Sequence, residues 1–317
     1  MQLFDYLPVE NNITPRAGMR VLVVFGRRKS VGVIVEVAHS SELALDKLAR
    51  VIEYPDGTQA VLTRESLELL KWCWRYYKHS PGEVVFNALP PLLRKIGGTI
   101  PAAPVQYRLT AAGEARLQEP VGRIRAQIGL LEKMRKEPVT EPELRALTPT
   151  WRKTLARLLE QRWVESENQQ AARLNPAPGP ELLEEQKLAV DAISLSLGEF
   201  HCHLLDGITG SGKTEVYLHL LERVLGNGGQ ALLLVPEIGL TPQLLNRFTE
   251  RLGFEPVVTH SGLSERQRLQ AWAMARSGLA RLLIGTRSAL FLPMPELQMI
   301  ILDEEHDASF KQQDGFR

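Results

Sequence analysis

Cysteine is scarce in this chain. Its 317 residues include 2 cysteines, Cys73 and Cys202, which lie far apart and have no Cys-x-x-Cys partner. A zinc site of four cysteines is therefore excluded within the chain. Scarce, widely spaced thiols suit a reducing compartment, so we expect a cytoplasmic protein.

Long apolar runs and a surplus of either charge are also missing. No apolar run approaches the roughly 18 residues that a membrane span needs. The N-terminus lacks the basic start and apolar core of a secretory signal, so we expect no membrane partner. The formal net charge is +1, so any surface for nucleic acid must be a local patch.

A phosphate-binding loop is the strongest motif that the sequence does contain. Residues 207–214 read GITGSGKT and match G-x-x-x-x-G-K-[ST] at every fixed position. Its glycines let backbone N–H groups converge on phosphate oxygens, and the helix that follows adds a favourable dipole. Lys213 is expected to bridge the β- and γ-phosphates of ATP, and Thr214 to bind Mg²⁺. The residues expected to bind ATP in this loop are Gly207, Gly210, Ser211, Gly212, Lys213 and Thr214.

Three residues outside the loop complete the expected nucleotide site. An apolar run at 299–302 ends in the acids Asp303 and Glu304. We expect Asp303 to hold Mg²⁺ through water and Glu304 to polarise the attacking water, with Lys213, Asp303 and Glu304 as the catalytic residues. Gln186 is placed before the loop where its amide would read the adenine edge, although an isolated glutamine on a helix is usually a solvent residue.

Composition and patterning divide the chain into four parts and predict a multidomain protein. The parts are a small β-rich domain at 1–105, a winged helix at 115–167, a linker at 168–180 and an α/β lobe at 181–317. Alternating strands and helices in the lobe favour a parallel sheet covered by helices. Strands are predicted at 20–25, 31–37, 203–205, 231–235, 256–258, 281–284 and 299–302, and helices at 64–79, 151–162 and 215–225, with a basic hairpin loop at 26–30.

Two features of the sequence favour a nucleic-acid partner. Between residues 123 and 162 there are ten basic and five acidic side chains, which fits a phosphate-facing surface or a solvated helical spacer. Segments 236–243, 260–262 and 285–289 each follow a predicted strand and suit a phosphodiester track, although singly they would be ordinary turns. The candidate DNA-binding residues here are Arg287, Phe310, Lys311 and Phe316. The rings of the two phenylalanines would stack on unpaired bases.

Five segments, in this order, resemble the PriA (primosomal protein N′) family of bacterial replication-restart helicases. They read GITGSGKTEVYL, VPEIGLTPQ, HSGLSERQR, IGTRSALF and ILDEEHDASFKQQDGFR. The resemblance implies a 3′-DNA-end-binding domain at 1–105, a winged helix and a RecA-like lobe. It also implies an ATP-dependent 3′→5′ DNA helicase that recognises stalled or repaired forks and initiates primosome assembly. The implied partners are forked and single-stranded DNA, primosome proteins and single-strand-binding protein.

The resemblance also implies a pocket for a DNA 3′ end in the first domain. By that likeness Phe4, Asp5, Tyr6 and Gly26 would line it, and Asp5 would accept a hydrogen bond from the free 3′-hydroxyl. The family's basic pocket residue aligns with an alanine here, and the adjacent Arg50 is expected to take its role.

We expect the chain to be truncated after its acidic motif, with an incomplete RecA-like lobe. The family's second lobe and zinc ligands are absent, so zinc binding and unwinding by this chain are not expected. One alternative is a fork- and single-strand-binding module without catalysis. Another is a small-molecule kinase, which explains the phosphate loop but none of the downstream motifs.

Overall fold

Hydrophobic side chains sort the chain into two units that have separate cores. The computed structural model describes residues 3–10, 12–118, 125–208 and 210–310. One unit comprises residues 1–101 together with 172–317, and the other comprises residues 102–171. None of the helices in these ranges is both long and apolar enough to cross a bilayer.

The described strands and helices have the following bounds. The strands are β1 (Arg20–Phe25), β2 (Arg28–Val33), β3 (Val105–Leu109), β4 (Val139–Thr140), β5 (Val164–Asn168), β6 (Gln230–Leu234), β7 (Val257–Thr259), β8 (Leu282–Gly285) and β9 (Leu297–Leu302). The helices are α1 (Arg64–Tyr76), α2 (Pro81–Asn87), α3 (Ala111–Gln118), α4 (Arg125–Lys136), α5 (Glu141–Leu147), α6 (Trp151–Glu160), α7 (Glu184–Ser194), α8 (Lys213–Gly226), α9 (Pro242–Leu252) and α10 (Glu265–Arg276). Short 3-10 helices lie at Leu45–Lys47, Pro91–Arg94, Glu237–Gly239, Arg287–Phe291 and Ala308–Phe310.

The N-terminal hairpin is tighter than the sequence indicated. β1 was predicted correctly, but β2 begins at Arg28, inside the predicted loop 26–30, and ends at Val33. Phe25 pairs with Arg28 across a two-residue turn. Gly26 has a φ of 62°, a left-handed conformation that permits such a turn, so pairing starts before the predicted loop ends.

A parallel sheet organises the larger unit, as predicted. Its order is β7-β8-β6-β9, and all three pairings are parallel. β6 is buried along its whole length, which is typical of a strand covered on both faces. α8 and α9 pack on the sheet through a core that includes Leu221, Phe248 and Ile284.

The strand predicted at 203–205 is wrong. These residues have no regular secondary structure and belong to no sheet. Leu205 packs against the core, whereas Leu204 is 83% exposed. Burial on one side alone does not give this short run the two-sided cover that a central parallel strand has.

The N-terminal residues and the lobe share a core within the larger unit. Trp272 of α10 is 1% exposed and lies in one cluster with Leu67, Leu70 and Leu93. Arg276, also on α10, donates through Nη2 to the carbonyl of Ala60 at 2.8 Å. The 1–101 segment is therefore packed directly on a helix of the lobe.

Part of the predicted linker at 168–180 lies against the lobe. The N–H of Asn175 donates to the carbonyl of Leu252 at 3.1 Å, and that of Ala177 to Arg251 at 3.0 Å. Leu174 packs on the main core of the sheet. Backbone pairing with the end of α9 therefore fixes this stretch without making it a strand.

The smaller unit has a three-stranded antiparallel sheet with the order β4-β3-β5. Leu131 and Met134 are buried on one face of α4. Thr140 caps α5 together with Glu143, and α6 begins at Trp151, where the helix at 151–162 was predicted to start. The packed helices and strands give this unit a core of its own.

A buried ion pair holds the N-terminal segment together. Arg20 is 1% exposed, and its Nε and Nη2 atoms each donate to the Asp56 carboxylate at 2.6 Å. The same guanidinium donates to the carbonyls of Leu93 at 2.6 Å and Gly98 at 2.8 Å. Four hydrogen bonds satisfy a charge that would otherwise be costly to bury.

We expect Asp56→Ala to lower the free energy of unfolding by about 3–5 kcal/mol, because it leaves the Arg20 guanidinium buried without its counter-charge. The matched control is Glu10→Ala, which removes the carboxylate of an exposed pair with Arg50 and should cost below about 1 kcal/mol. Urea denaturation followed by tryptophan fluorescence measures both. Equal losses in the two variants would contradict this account.

Candidate functional site

The glycines of the phosphate loop occupy positions where a side chain would be strained or crowded. Gly210 and Gly212 both have a φ of 84°. A Cβ at Gly207 would lie 2.6 Å from the Ser211 hydroxyl, and one at Gly212 would lie 2.3 Å from Nε2 of Gln186. Because these positions are glycines, no side chain of their own covers the loop backbone. Thr209, within the same loop, is outside the described residues.

The loop leads directly into α8, which starts at Lys213. Gly212 is the N-cap and carries no side chain, so nothing of its own covers the first-turn amides. Lys213 is folded back over the loop, where its Nζ donates to the carbonyl of Gly207 at 2.7 Å. Bare amides, a helix N-terminus and one lysine are what a nucleotide phosphate chain needs. Within α8, Thr214 is partly buried.

Gln186 is bound to the loop itself. Its Nε2 donates to the carbonyl of Ser211 at 3.0 Å, and its Oε1 accepts from the N–H of Leu183 at 2.9 Å. Both ends of the amide thus join the start of α7 to the phosphate loop. Its role in reading adenine stays a prediction.

The acidic motif lies at the end of β9, beside α8. The N–H of Asp303 donates to the carbonyl of Leu234 at 2.9 Å, which extends the pairing of β9 with β6. Oδ1 of Asp303 accepts from the hydroxyl of Tyr217 on α8 at 3.1 Å. Burial, and then the Asp303 charge, raise the pKa of Tyr217, so its hydroxyl stays protonated and donates this bond.

Glu304 and His306 lie on the turn after the strand. Glu304 has a φ of 49°, and its Oε2 is 3.5 Å from Nε2 of His306. Both side chains are exposed. Glu304 is therefore accessible to solvent beside the site, and the water-polarising role proposed for it stays a prediction.

The residues fit Mg²⁺ as a cation that needs few protein ligands. No group of three or more His, Cys, Asp or Glu side chains in the described part of the chain could hold a metal ion. Mg²⁺ bound with a nucleotide takes one or two protein ligands and completes its shell with phosphates and water. Thr214 and Asp303 supply one hydroxyl and one carboxylate of that kind.

The three loops predicted to follow DNA lie at one edge of the sheet, because they follow the carboxyl ends of β6, β7 and β8. Two of them are joined, since the hydroxyl of Ser261 donates to Glu237 at 2.9 Å. Arg287 opens the 3-10 helix after β8. Phe310 packs against the core cluster around Leu283, whereas Lys311 and Phe316 lie outside the described residues.

The residues predicted for the 3′-end pocket converge on the end of β1. Phe4 meets Phe25 edge-on with ring centroids 4.8 Å apart, and the hydroxyl of Tyr6 donates to the carbonyl of Val24 at 3.0 Å. Both contacts lie next to the turn at Gly26. Asp5 is between them in sequence, and its Oδ2 accepts from the hydroxyl of Ser41 at 2.5 Å.

Arg50 lies near the pocket residues but is already paired. Leu7 and Arg50 form an isolated parallel bridge, which places Arg50 beside the residue that follows Tyr6. Its guanidinium contacts Glu10 at 2.9 Å and the carbonyl of Pro8 at 3.2 Å. A DNA end would compete with these exposed contacts.

Two residues that contact predicted site residues could not be identified from the sequence. Ser41 lies in a loop 36 residues from Asp5, and Tyr217 lies 86 residues from Asp303. A lone hydroxyl in a loop and a tyrosine on a core helix are both ordinary features of a sequence. Only the fold brings each hydroxyl to a carboxylate.

Two family models match the chain. Residues 1–90 match the PriA 3′DNA-binding domain (3′BD), and residues 184–317 match the DEAD/DEAH box helicase. Each match covers one of the two regions that share the core around Trp272.

Curated relatives extend the similarity over the whole chain. A replication restart protein PriA of Haemophilus influenzae is 38% identical over 100% of this chain, which is 44% of the relative. One of Chlamydia trachomatis is 34% identical over 90% of this chain and 41% of its own length. One of Synechocystis sp. is 51% identical over 45% of this chain and 17% of its own length.

The chain thus spans less than half the length of these relatives, with 44% coverage of the Haemophilus influenzae protein and 41% of the Chlamydia trachomatis protein. The sheet, the phosphate loop and the acidic motif lie within residues 184–317, and the hairpin with its aromatic contacts lies within residues 1–90. The chain belongs to the PriA family of replication restart proteins.

Proposed function

We propose that this chain carries the ATP-binding lobe and the 3′-end-binding domain of a 3′→5′ DNA helicase that recognises stalled or repaired forks and initiates primosome assembly. The observation that carries the proposal is the meeting of two motifs at α8. The phosphate loop forms its N-terminus, and Asp303 is hydrogen-bonded to Tyr217 one turn further along. Primosome proteins and single-strand-binding protein are the proposed partners.

Nucleotide binding would use groups that the loop holds ready. The phosphates would take the N–H groups of Lys213 and Thr214 at the start of α8. The Lys213 side chain would leave the carbonyl of Gly207 for the β- and γ-phosphate oxygens. Thr214 and Asp303 would hold Mg²⁺, which when bound neutralises charge that develops on the phosphates. Glu304 would orient and polarise the attacking water.

DNA would be bound by two separate features. The pocket beside Gly26 would receive a 3′ end, with Asp5 accepting a hydrogen bond from the 3′-hydroxyl while the Ser41 hydroxyl donates to the same carboxylate. In the smaller unit we propose a winged helix whose α6 presents Arg152, Lys153 and Arg157, all exposed. The outer strand β5 is less suited to phosphates, because it carries Glu165 and Glu167.

A second candidate function is a fork- and single-strand-binding module without catalysis. The observation in its favour is the segment that leads into the phosphate loop. It has no regular secondary structure, belongs to no sheet, and leaves Leu204 and Ile208 each 83% exposed. A loop without a fixed strand in front of it is less well preorganised for hydrolysis.

Lys213→Ala should weaken ATP binding at least tenfold, because the cation that meets the phosphates is lost. The control is Lys187→Ala, which removes an exposed lysine of α7. Titration with a fluorescent ATP analogue measures both, and fork binding by Lys213→Ala should be unchanged. Equal nucleotide affinity in both variants would argue against this site.

The chain should bind a fork that ends in a 3′-hydroxyl about tenfold more tightly than one that ends in a 3′-phosphate, because the phosphate brings like charge to Asp5. Asp5→Asn should remove most of this discrimination, and Asp46→Asn, at an exposed position, should retain it. Fluorescence anisotropy measures the affinities. Discrimination that survives in Asp5→Asn would rule out this pocket.

Arg157→Ala should reduce the slope of log affinity against log salt concentration for duplex DNA by about one, because one phosphate contact is lost. The matched control is Arg135→Ala, whose guanidinium is paired with Glu114 at 2.8 Å. The slope of log affinity against log salt concentration is measured for both. Equal slopes for wild type and Arg157→Ala would remove α6 from the proposed surface.

A further inference from the structure

Tyr217 places its only polar group against a carboxylate at the edge of the sheet. Its ring is 8% exposed and packs in the core with Leu221 and Ile284. Its hydroxyl donates to Oδ1 of Asp303 at 3.1 Å. A buried aromatic ring has little freedom to move, so the hydroxyl is a fixed donor rather than one that solvent could replace.

The Asp303 carboxylate needs such a donor. Its backbone is held by the bond to Leu234, but β9 pairs only with β6 among the described strands, and the neighbouring Leu302 is 44% exposed. Within the described residues, the Tyr217 hydroxyl is the one hydrogen-bond partner of the Asp303 side chain. Without it, the carboxylate could rotate freely at an open edge.

The hydrogen bond also ties Asp303 to the helix that carries Thr214, the other candidate Mg²⁺ ligand. Thr214 belongs to the first turn of α8, and Tyr217 lies one turn further along the same helix. The bond uses Oδ1 of Asp303 and leaves Oδ2 for a cation or its bound water. Partners that orient a metal ligand in this way typically change metal affinity about 10–100-fold when they are lost.

We propose that Tyr217 is a positioning residue that holds Asp303 in the orientation required for Mg²⁺ in the nucleotide complex. The inference rests on the proposed function of the phosphate loop and the acidic motif. It assigns to Tyr217 no contact with the nucleotide and no part in proton transfer.

The test is Tyr217→Phe in the 317-residue chain, which removes the hydroxyl and keeps the ring. Fluorescent N-methylanthraniloyl-ADP is titrated at several Mg²⁺ concentrations and in EDTA. We expect the Mg²⁺ concentration for half-maximal binding to rise about tenfold. This is the lower end of the roughly 10–100-fold range given above, because the phosphates also hold the ion. Affinity in EDTA should be unchanged.

The matched control is Tyr54→Phe. Tyr54 is also buried, and its hydroxyl has no hydrogen-bond partner in the described part of the chain. This variant should show the wild-type Mg²⁺ dependence. In an Asp303→Asn background, adding Tyr217→Phe should cause no further change, because the carboxylate that it positions is already gone.

Three results would overturn the inference. Wild-type Mg²⁺ dependence in Tyr217→Phe would show that the hydroxyl does not position the ligand. An equal loss of affinity in EDTA would show that it supports the loop instead. If the wild type binds no nucleotide, or binds it independently of Mg²⁺, the proposed function falls together with the inference. The first two results leave that function standing.

Discussion

Parallel pairing of β6 with both β8 and β9 is the constraint on which the rest of the larger unit depends. Parallel strands end at the same edge of a sheet, so the loops after β6, β7 and β8 and the acids after β9 all emerge there. The full burial of β6 fixes this arrangement, because sliding the strand would expose apolar residues on both faces. Asp303 and the three predicted DNA loops therefore take their places from that register.

The helix α10 links this sheet to the N-terminal residues. Trp272 buries its ring among side chains of α1 and the segment after α2, and Lys95 pairs with Glu265 at 2.7 Å at the other end of the helix. α10 also connects the loop after β7 with β8. A region that matches a 3′DNA-binding domain is thus packed on the helix between two of the predicted DNA loops.

Periodicity and turn chemistry predicted most of the elements. The turn of the hairpin depends on Gly26 and the start of α5 on Thr140, whose preferences act within a few positions. The strand at 203–205 failed because an apolar run reports a preference for burial, but not whether a neighbouring strand is present to pair with it. The phosphate loop was predictable because its glycine spacing is itself the structural requirement.

The sequence by itself determined the chemistry of this protein. Its loop glycines, Lys213 and Asp303 predict a nucleotide site, and their order with the later motifs indicates the family. Tertiary structure decided which hydroxyls meet the two central carboxylates, Ser41 at Asp5 and Tyr217 at Asp303. These pairs are separated by 36 and 86 residues, and no local preference encodes a contact over that distance, because only packing of the whole chain brings the partners together.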